Sequence, residues 1–315
     1  MQGIVIATLA VSILSSNMAA ALAMSKRILV TGANKGIGKA IAKKILSDYP
    51  DTFVYLGSRD QGRGEAACSD LVSELGSATC DGRLQSLEID VTCEASVSAA
   101  AAAVVSTGPG GGPLYGLVNN AGVGFGRTIE ETLATNLFGA RRVTEAFLPL
   151  ISDGGRVVNI ASASGPNFVS SQPSGAQPFW SDPACLPSWE ELEAALGKLS
   201  TGGPDYDGIA YGLSKASLNV YTRQVALREE GRVFVNSCTP GYIATDLTKG
   251  MGATNSPEKG TVAPLACLFG PLPPDSAATQ PSVAQGSSGR YYGSDGVRSP
   301  LHFYRGPGDP PYEGP

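Results

Sequence analysis

Histidine is all but absent: His302, near the end of a Pro/Gly-rich tail, is the only one in 315 residues. A Ser-His-Asp hydrolase and a multi-histidine metal centre therefore lack their parts. Any proton chemistry falls to Tyr, Lys, Asp or Glu, and His302 itself reads as a tail residue. The six cysteines (Cys68, Cys80, Cys93, Cys185, Cys238, Cys267) show neither a CxxC pair nor a disulfide-like rhythm. That usage suits reduced thiols in an intracellular, cytoplasmic setting. Positive charge is not in excess either, since the net charge is −5. Nucleic acid is thus a poor candidate partner. No internal repeat is visible, and charged residues make up only 16% of a chain that is 42% apolar, which is ample material for a core.

Long apolar runs are also missing, with one partial exception. Ile4 to Leu14 is almost wholly apolar and is followed by small residues, but no Lys or Arg precedes Lys26. The run is short for a membrane span and has no basic flank. Residues 1–24 read either as a signal-like leader, which leaves organelle targeting or a membrane tether open, or as a stretch preceding a true start at Met24.

From Arg27 the chain alternates between strand and helix patterns. Arg27-Ile-Leu-Val-Thr is a short apolar run, followed by Gly32-Ala-Asn34-Lys35-Gly36-Ile37-Gly38 and a helical pattern from Lys39 to Asp48. Strand, glycine turn and helix bring backbone N–H groups and a helix N-terminus against a pyrophosphate. Thr52 to Ser58 is a second strand and ends at Arg59. A site for NAD places an acid about 20 residues past the last glycine, to meet the ribose 2′-hydroxyl. Here Ser58 and Arg59 stand in that neighbourhood, with Lys35 in the glycine turn. Two cations suit a 2′-phosphate, because guanidinium matches phosphate geometry. The reading is NADP, with Asp60 pointing away.

Further units follow: a helix at Glu65–Leu75, a strand at Leu84–Ile89, an alanine-rich helix at Glu94–Val105, a strand at Leu114–Val118, a long helix at Glu130–Leu150 and a strand at Gly155–Ala161. Gly165 to Pro187 reads as loop-like, anchored by aromatics, and Trp189 to Leu199 as a short helix. A sixth strand spans Arg232–Cys238, a helix lies within Pro257–Phe269, and a final strand covers Gly289–Gly293. The Pro/Ser-rich stretch 271–288 reads as a loop and the residues from Pro300 onward as an irregular tail. Repeated βα units predict a single α/β domain over 25–299, a doubly wound parallel sheet with an insert at 165–208 and ligands outside the carboxyl ends of its strands.

Tyr211-Gly-Leu-Ser-Lys215 opens another helix. Four residues apart, both side chains rise from one helical face. A phenol has a pKa near ~10 on its own, and an ammonium close by favours the phenolate, making the tyrosine a usable proton donor or acceptor. Asp90, Asn119, Asn136 and Ser162 each fall at a strand end or on an adjoining helix.

Thr31-Gly32-xxx-Gly36-Ile37-Gly38, Asn119-Asn120-Ala121-Gly122, Asn136, Ser162, Tyr211-xxx-Lys215 and Pro240-Gly241, in this order, resemble the short-chain dehydrogenases/reductases. The long insert before Tyr211 and Asn-Ser-Cys-Thr-Pro-Gly-Tyr resemble most the monomeric NADPH-dependent carbonyl reductases, the group that includes salutaridine and menthone reductases. The resemblance implies a doubly wound (Rossmann) fold and reduction of a ketone, aldehyde or quinone with NADPH. It implies that Tyr211 is the general acid, that Lys215 lowers its pKa and meets the nicotinamide ribose, that Ser162 holds the substrate oxygen, and that Asn136 positions a relay water. It assigns the pyrophosphate turn to Gly32, Asn34, Gly36, Ile37 and Gly38, the adenine to Asp90 and Val91, and the adenosine ribose side to Asn119. Lys35 and Arg59 then take the 2′-phosphate, and Pro240, Gly241, Ile243 and Thr245 border the nicotinamide. Ala161 stands where many relatives carry a second serine, which leaves Ser164 as a rival to Ser162. The competing readings are an oxidising hydroxysteroid or alcohol dehydrogenase and a non-catalytic NADP-binding sensor.

Overall fold

The computed structural model describes residues 26–107, 112–199, 209–270 and 288–314; the N-terminal stretch, most of 271–288 and the end of the insert lie outside them. Short, almost continuously buried runs become the strands. β1 (Lys26–Val30) and β2 (Thr52–Ser58) are covered on both faces, as expected of parallel strands flanked by helices. β3 (Leu84–Glu88), β4 (Leu114–Asn119), β5 (Ile151–Ile160), β6 (Phe234–Cys238) and β7 (Tyr291–Tyr292) complete one parallel sheet of seven strands in the order β3-β2-β1-β4-β5-β6-β7.

Successive strand residues point to opposite faces, so the sheet divides the interior into two cores. Leu29, Phe53, Tyr55 and Leu117 face one of them; Ile28, Val30, Val54, Leu56 and Val118 face the other. On the second face lie α1 (Gly36–Asp48), α2 (Gln61–Leu75) and α10 (Val262–Phe269). The first face carries α3 (Glu94–Thr107), α4 (Ile129–Leu133), α5 (Ala140–Phe147) and α9 (Ile209–Arg228). The strand order reverses between β1 and β4, which opens a crevice at their carboxyl ends.

Two sequence expectations change. The long helix expected at 130–150 is interrupted: α4 passes through a π-helical turn (Ala134–Gly139) into α5, and a 3₁₀ turn (Leu148–Leu150) holding Pro149 ends it. The stretch expected to be loop-like folds as α6 (Ser164–Ser171) and α7 (Gln177–Ser181), ahead of α8 (Trp189–Leu199). Its small residues serve close packing. A Cβ on Gly165 would stand 3.1 Å from the Lys215 carbonyl carbon, and one on Gly212 would stand 3.0 Å from the Ser164 carbonyl oxygen. α6 therefore lies directly on the backbone of α9. Trp180 anchors the insert, edge-on to Phe168 and Phe179 with centroids 5.4 and 5.0 Å away.

The residues after Pro300 form no helix or strand, yet Arg305 is buried and pairs with Asp295 at 2.8 Å. Burial pushes the Asp295 carboxyl up, but hydrogen bonds from Arg305 and from the N–H groups of Gly308 and Val297 together hold it at about 2. Removing one partner of a buried pair costs about 3–5 kcal/mol. Asp295→Ala should therefore release this segment and expose Arg305 to trypsin. Cleavage there at the wild-type rate would show that the pair does not hold the tail.

Candidate active site

The crevice at the carboxyl ends of the strands is a cleft of about 710 Å³, within the usual size of a small-molecule site. Its floor at one end is the glycine turn. Gly32 and Gly36 have φ of 62° and 56°, left-handed values that side-chain-bearing residues seldom adopt. A Cβ on Gly38 would meet Asn120 Nδ2 at 2.4 Å and Gly32 O at 2.6 Å. Lys35 stands at the N-cap of α1 without a capping side-chain bond, and the first turn holds no acid. Its leading N–H groups are thus left for an anion. Residues and geometry fit a dinucleotide pyrophosphate.

Of the residues singled out for the cofactor, Gly32, Asn34, Lys35, Gly36, Ile37, Gly38, Arg59, Asp90, Val91, Pro240, Gly241, Ile243 and Thr245 line this one cleft. Asn119 does not. It is buried with its Nδ2 donating to Thr144 Oγ1 and Asn159 Oδ1, both at 2.8 Å. Its neighbour Asn120 faces the cleft and donates to the Thr31 and Gly32 carbonyls at 2.9 and 3.1 Å, holding the glycine turn in place. At this strand end it is Asn120 rather than Asn119 that faces the cleft, because adjacent residues on a strand face opposite ways.

Lys35 is not a free cation: it pairs with Asp246 at 2.6 Å. Arg59 lines the cleft together with Arg63, which the sequence reading missed. Arg63 was detectable, because a basic residue in the first turn of a helix opposes the macrodipole and so asks for an explanation. Asp60 does not point away as expected: it lines the cleft as well, while its Oδ1 caps α2 by accepting the Arg63 N–H at 2.8 Å. At Asp90, burial raises the carboxyl, but hydrogen bonds from the Thr92 hydroxyl and N–H, with Arg59 and Arg142 nearby, hold it below its ordinary value.

At the other end, Tyr211, Lys215, Ser162 and Ser164 share the cleft wall. Ser162 lies close enough to the Tyr211 phenol to favour its ionised form. Ser162 Oγ accepts the Ser164 N–H at 3.2 Å and donates to Ser164 Oγ at 3.3 Å, so Ser164 orients Ser162 as well as bordering the site. Lys215 is 95% buried, from a fractional exposure of 5%. Its Nζ donates to the Ile160 carbonyl at 2.7 Å and sits 5.6 Å from the centre of the Tyr211 ring. Burial raises the Tyr211 pKa, with Ser162 opposing, and pulls Lys215 down to about 8. Desolvation is the largest influence on both groups, raising the phenol rather than lowering it, while the Lys215 Nζ donates to a strand-end carbonyl.

Asn136 sits in the π-helical turn with its side chain fully used. Oδ1 accepts the Val123 N–H at 2.8 Å, while Nδ2 donates to the Val123 carbonyl and to Ser214 Oγ, both at 3.0 Å. Ser214 Oγ in turn donates to the Tyr211 carbonyl at 2.8 Å. Asn136 thus ties the loop after β4 to the Tyr211 turn; it does not line the cleft. Val123, Phe125, Arg127, Thr135, Tyr242, Leu247 and Met251 do, and no sequence motif marks them, because the packing of the loops after β4 and β6 and of the π-helical turn brings them there.

The Lys215 shift has a definite pH signature. Between about 8 and its ordinary value of 10.5 the unfolded chain holds this proton and the folded chain does not. Stability rises with pH where the unfolded state binds more protons. Relative to Lys215→Met, the wild type should gain thermal stability across that window and show no trend below it. A wild-type minus variant difference in Tm that ignores pH would refute the buried-ammonium account.

Comparison with known proteins agrees with this geometry. Residues 26–174 match the family model described as short chain dehydrogenase. Carbonyl reductase (NADPH) 1 of Pongo abelii is 34% identical over 268 residues, covering 78% of this chain and 91% of that protein. Salutaridine reductase from Papaver somniferum superposes with a TM-score of 0.67 at 26% identity, covering 85% of this chain and 99% of that one. Menthone neomenthol reductase from Mentha piperita gives 0.63 at 26% identity, over 86% and 99% of the two chains. With the strand order, the glycine turn and the Ser162–Tyr211–Lys215 wall, these matches establish that the chain belongs to the short-chain dehydrogenase family of oxidoreductases.

Proposed function

We propose that this protein is an NADPH-dependent carbonyl reductase acting on ketones, aldehydes or quinones. The observation that carries the reading is that Tyr211, Ser162 and the buried Lys215 share one cleft wall with an uncapped helix N-terminus. NADPH, when bound, supplies the hydride. The protein's own residues do the rest. Tyr211, whose ionisation burial opposes, gives its proton to the carbonyl oxygen. Ser162 donates a hydrogen bond to that oxygen as negative charge builds on it, which is where an aimed donor counts most. Lys215, the positive charge nearest the phenol ring, stabilises the tyrosinate left behind, and Asn136 and Ser214 keep the Tyr211 turn in register.

Arg59 and Arg63 form the cationic pair for a 2′-phosphate, with Lys35 held to Asp246 across the turn. Names of relatives that specify NADPH support the same choice. The insert helices α6, α7 and α8 pack on α9 and its neighbours, with Trp189 edge-on to Phe138 and Tyr221. They cover helix faces that could otherwise pair between subunits, and we take the enzyme to act as a monomer. Among the described residues, no helix is long and apolar enough to cross a membrane.

Tyr211→Phe should lower carbonyl reduction by ~10²–10⁴ while NADPH binding, followed by nucleotide fluorescence, stays near normal. Most of the activity surviving would remove Tyr211 from the acid role. Arg59→Asp should raise the preference for NADH over NADPH in steady-state kinetics; unchanged selectivity would count against the phosphate site.

A further inference from the structure

We propose that the substrate end of this cleft selects carbonyl compounds carrying a planar apolar body together with an anionic group, and that Arg127 is the anion's partner. The inference rests on the reductase reading above and narrows its substrate class.

The apolar walls come from the loops that flank the end of β5. After β4, Phe125 lays its ring against Tyr211 with centroids 4.8 Å apart and planes at 48°. After β6, Tyr242 and Met251 line the cleft, tied together by a hydrogen bond from the Tyr242 hydroxyl to the Met251 carbonyl. Leu247 closes the gap between the two loops, so near that a Cβ on Gly124 would stand 2.7 Å from its Cγ. Phe125, Tyr242 and Met251 nevertheless stay 43%, 47% and 45% exposed. Aromatic and thioether surface left open beside the proton donor suits a flat ring, which gains from offset stacking.

The charge pattern supplies the second requirement. Gly126, at φ 80°, turns the chain so that Arg127 follows Phe125 into the cleft wall, directly before the Thr128 cap of α4. Of the other cleft cations, Lys35 is engaged by Asp246, Arg63 by Asp60 and Lys215 by the Ile160 carbonyl, while Arg59 stands at the nucleotide end near Asp90. Among the described residues no carboxylate or carbonyl engages Arg127. Glu130 and Glu131, the nearest acids in the chain, do not pair with it, and Glu131 accepts the Thr128 N–H instead. The cleft carboxylates lie elsewhere, with Asp60 and Asp90 at the ends of β2 and β3 and Asp246 spent on Lys35. An arginine fork facing a carboxylate forms two parallel charge-assisted bonds, whereas a cationic substrate would meet an unbalanced charge of its own sign.

The test uses 4-formylbenzoate and its methyl ester as matched aldehydes with the full-length protein. Comparing the acid-to-ester ratio of kcat/KM in wild type and in Arg127→Gln cancels the esters' different intrinsic electrophilicity. That ratio should fall by about tenfold in the variant, the scale of a charge-assisted hydrogen bond, and Arg127→Lys should restore part of it. A ratio that the substitution leaves alone would overturn the proposal. If wild type reduces neither aldehyde, the reductase reading fails by itself, and calorimetric titration with 4-(hydroxymethyl)benzoate still decides the role of Arg127. Weaker binding to Arg127→Gln than to wild type would support it; equal affinity, or none for wild type, would overturn it.

Discussion

The hydrogen bond from the Lys215 ammonium to the Ile160 carbonyl joins the two elements on which the site is built. Ile160 is the last residue of β5, and Lys215 lies in the first half of α9, a helix buried on nearly every side. A cation taken out of water needs compensation, and here a strand-end carbonyl provides it at 2.7 Å. With that contact made, Tyr211 is carried to the end of β5 and meets Ser162, two residues beyond Ile160. The chemistry is local, but its placement depends on a helix and a strand far apart in sequence.

Close backbone packing makes that placement possible. Gly165 and Gly212 let α6 and α9 touch without intervening side chains, so the residues just after Ser162 are pressed onto the turn that carries Tyr211. Asn136 acts from the opposite side, bonding both to Val123 and to Ser214. A π-helical turn is well suited to this, since it displaces a side chain from the regular helical track. Two segments, the loop after β4 and the start of α6, are thereby held against the turn that carries one tyrosine.

Charge is distributed unevenly along the cleft. Toward β2 and β3, acids and arginines alternate, and each acid is bound locally: Asp60 to α2, Asp90 to Thr92. The Lys35–Asp246 pair joins the glycine turn to the loop after β6, although exposed pairs of this kind contribute little stability. Beyond it the lining turns apolar and, apart from Arg127, carries no unspent charge among the described residues. One end thus suits a phosphorylated nucleotide and the other a flat, partly apolar molecule.

Strand positions, the glycine turn, the Tyr211/Lys215 spacing and the scarcity of histidine were legible in the amino-acid sequence alone, because each rests on local chemistry: short continuous apolar runs, backbone freedom at glycine, helical geometry and the choice of titratable groups. Tertiary structure decided the rest. Asn119 turned inward and Asn120 outward, Lys35 found Asp246, helices emerged from a Ser/Gly/Pro-rich stretch, and burial came to oppose the ionisation of Tyr211. Each of these depends on what stands opposite a residue in space, and neither composition nor spacing along the chain encodes desolvation or long-range partners.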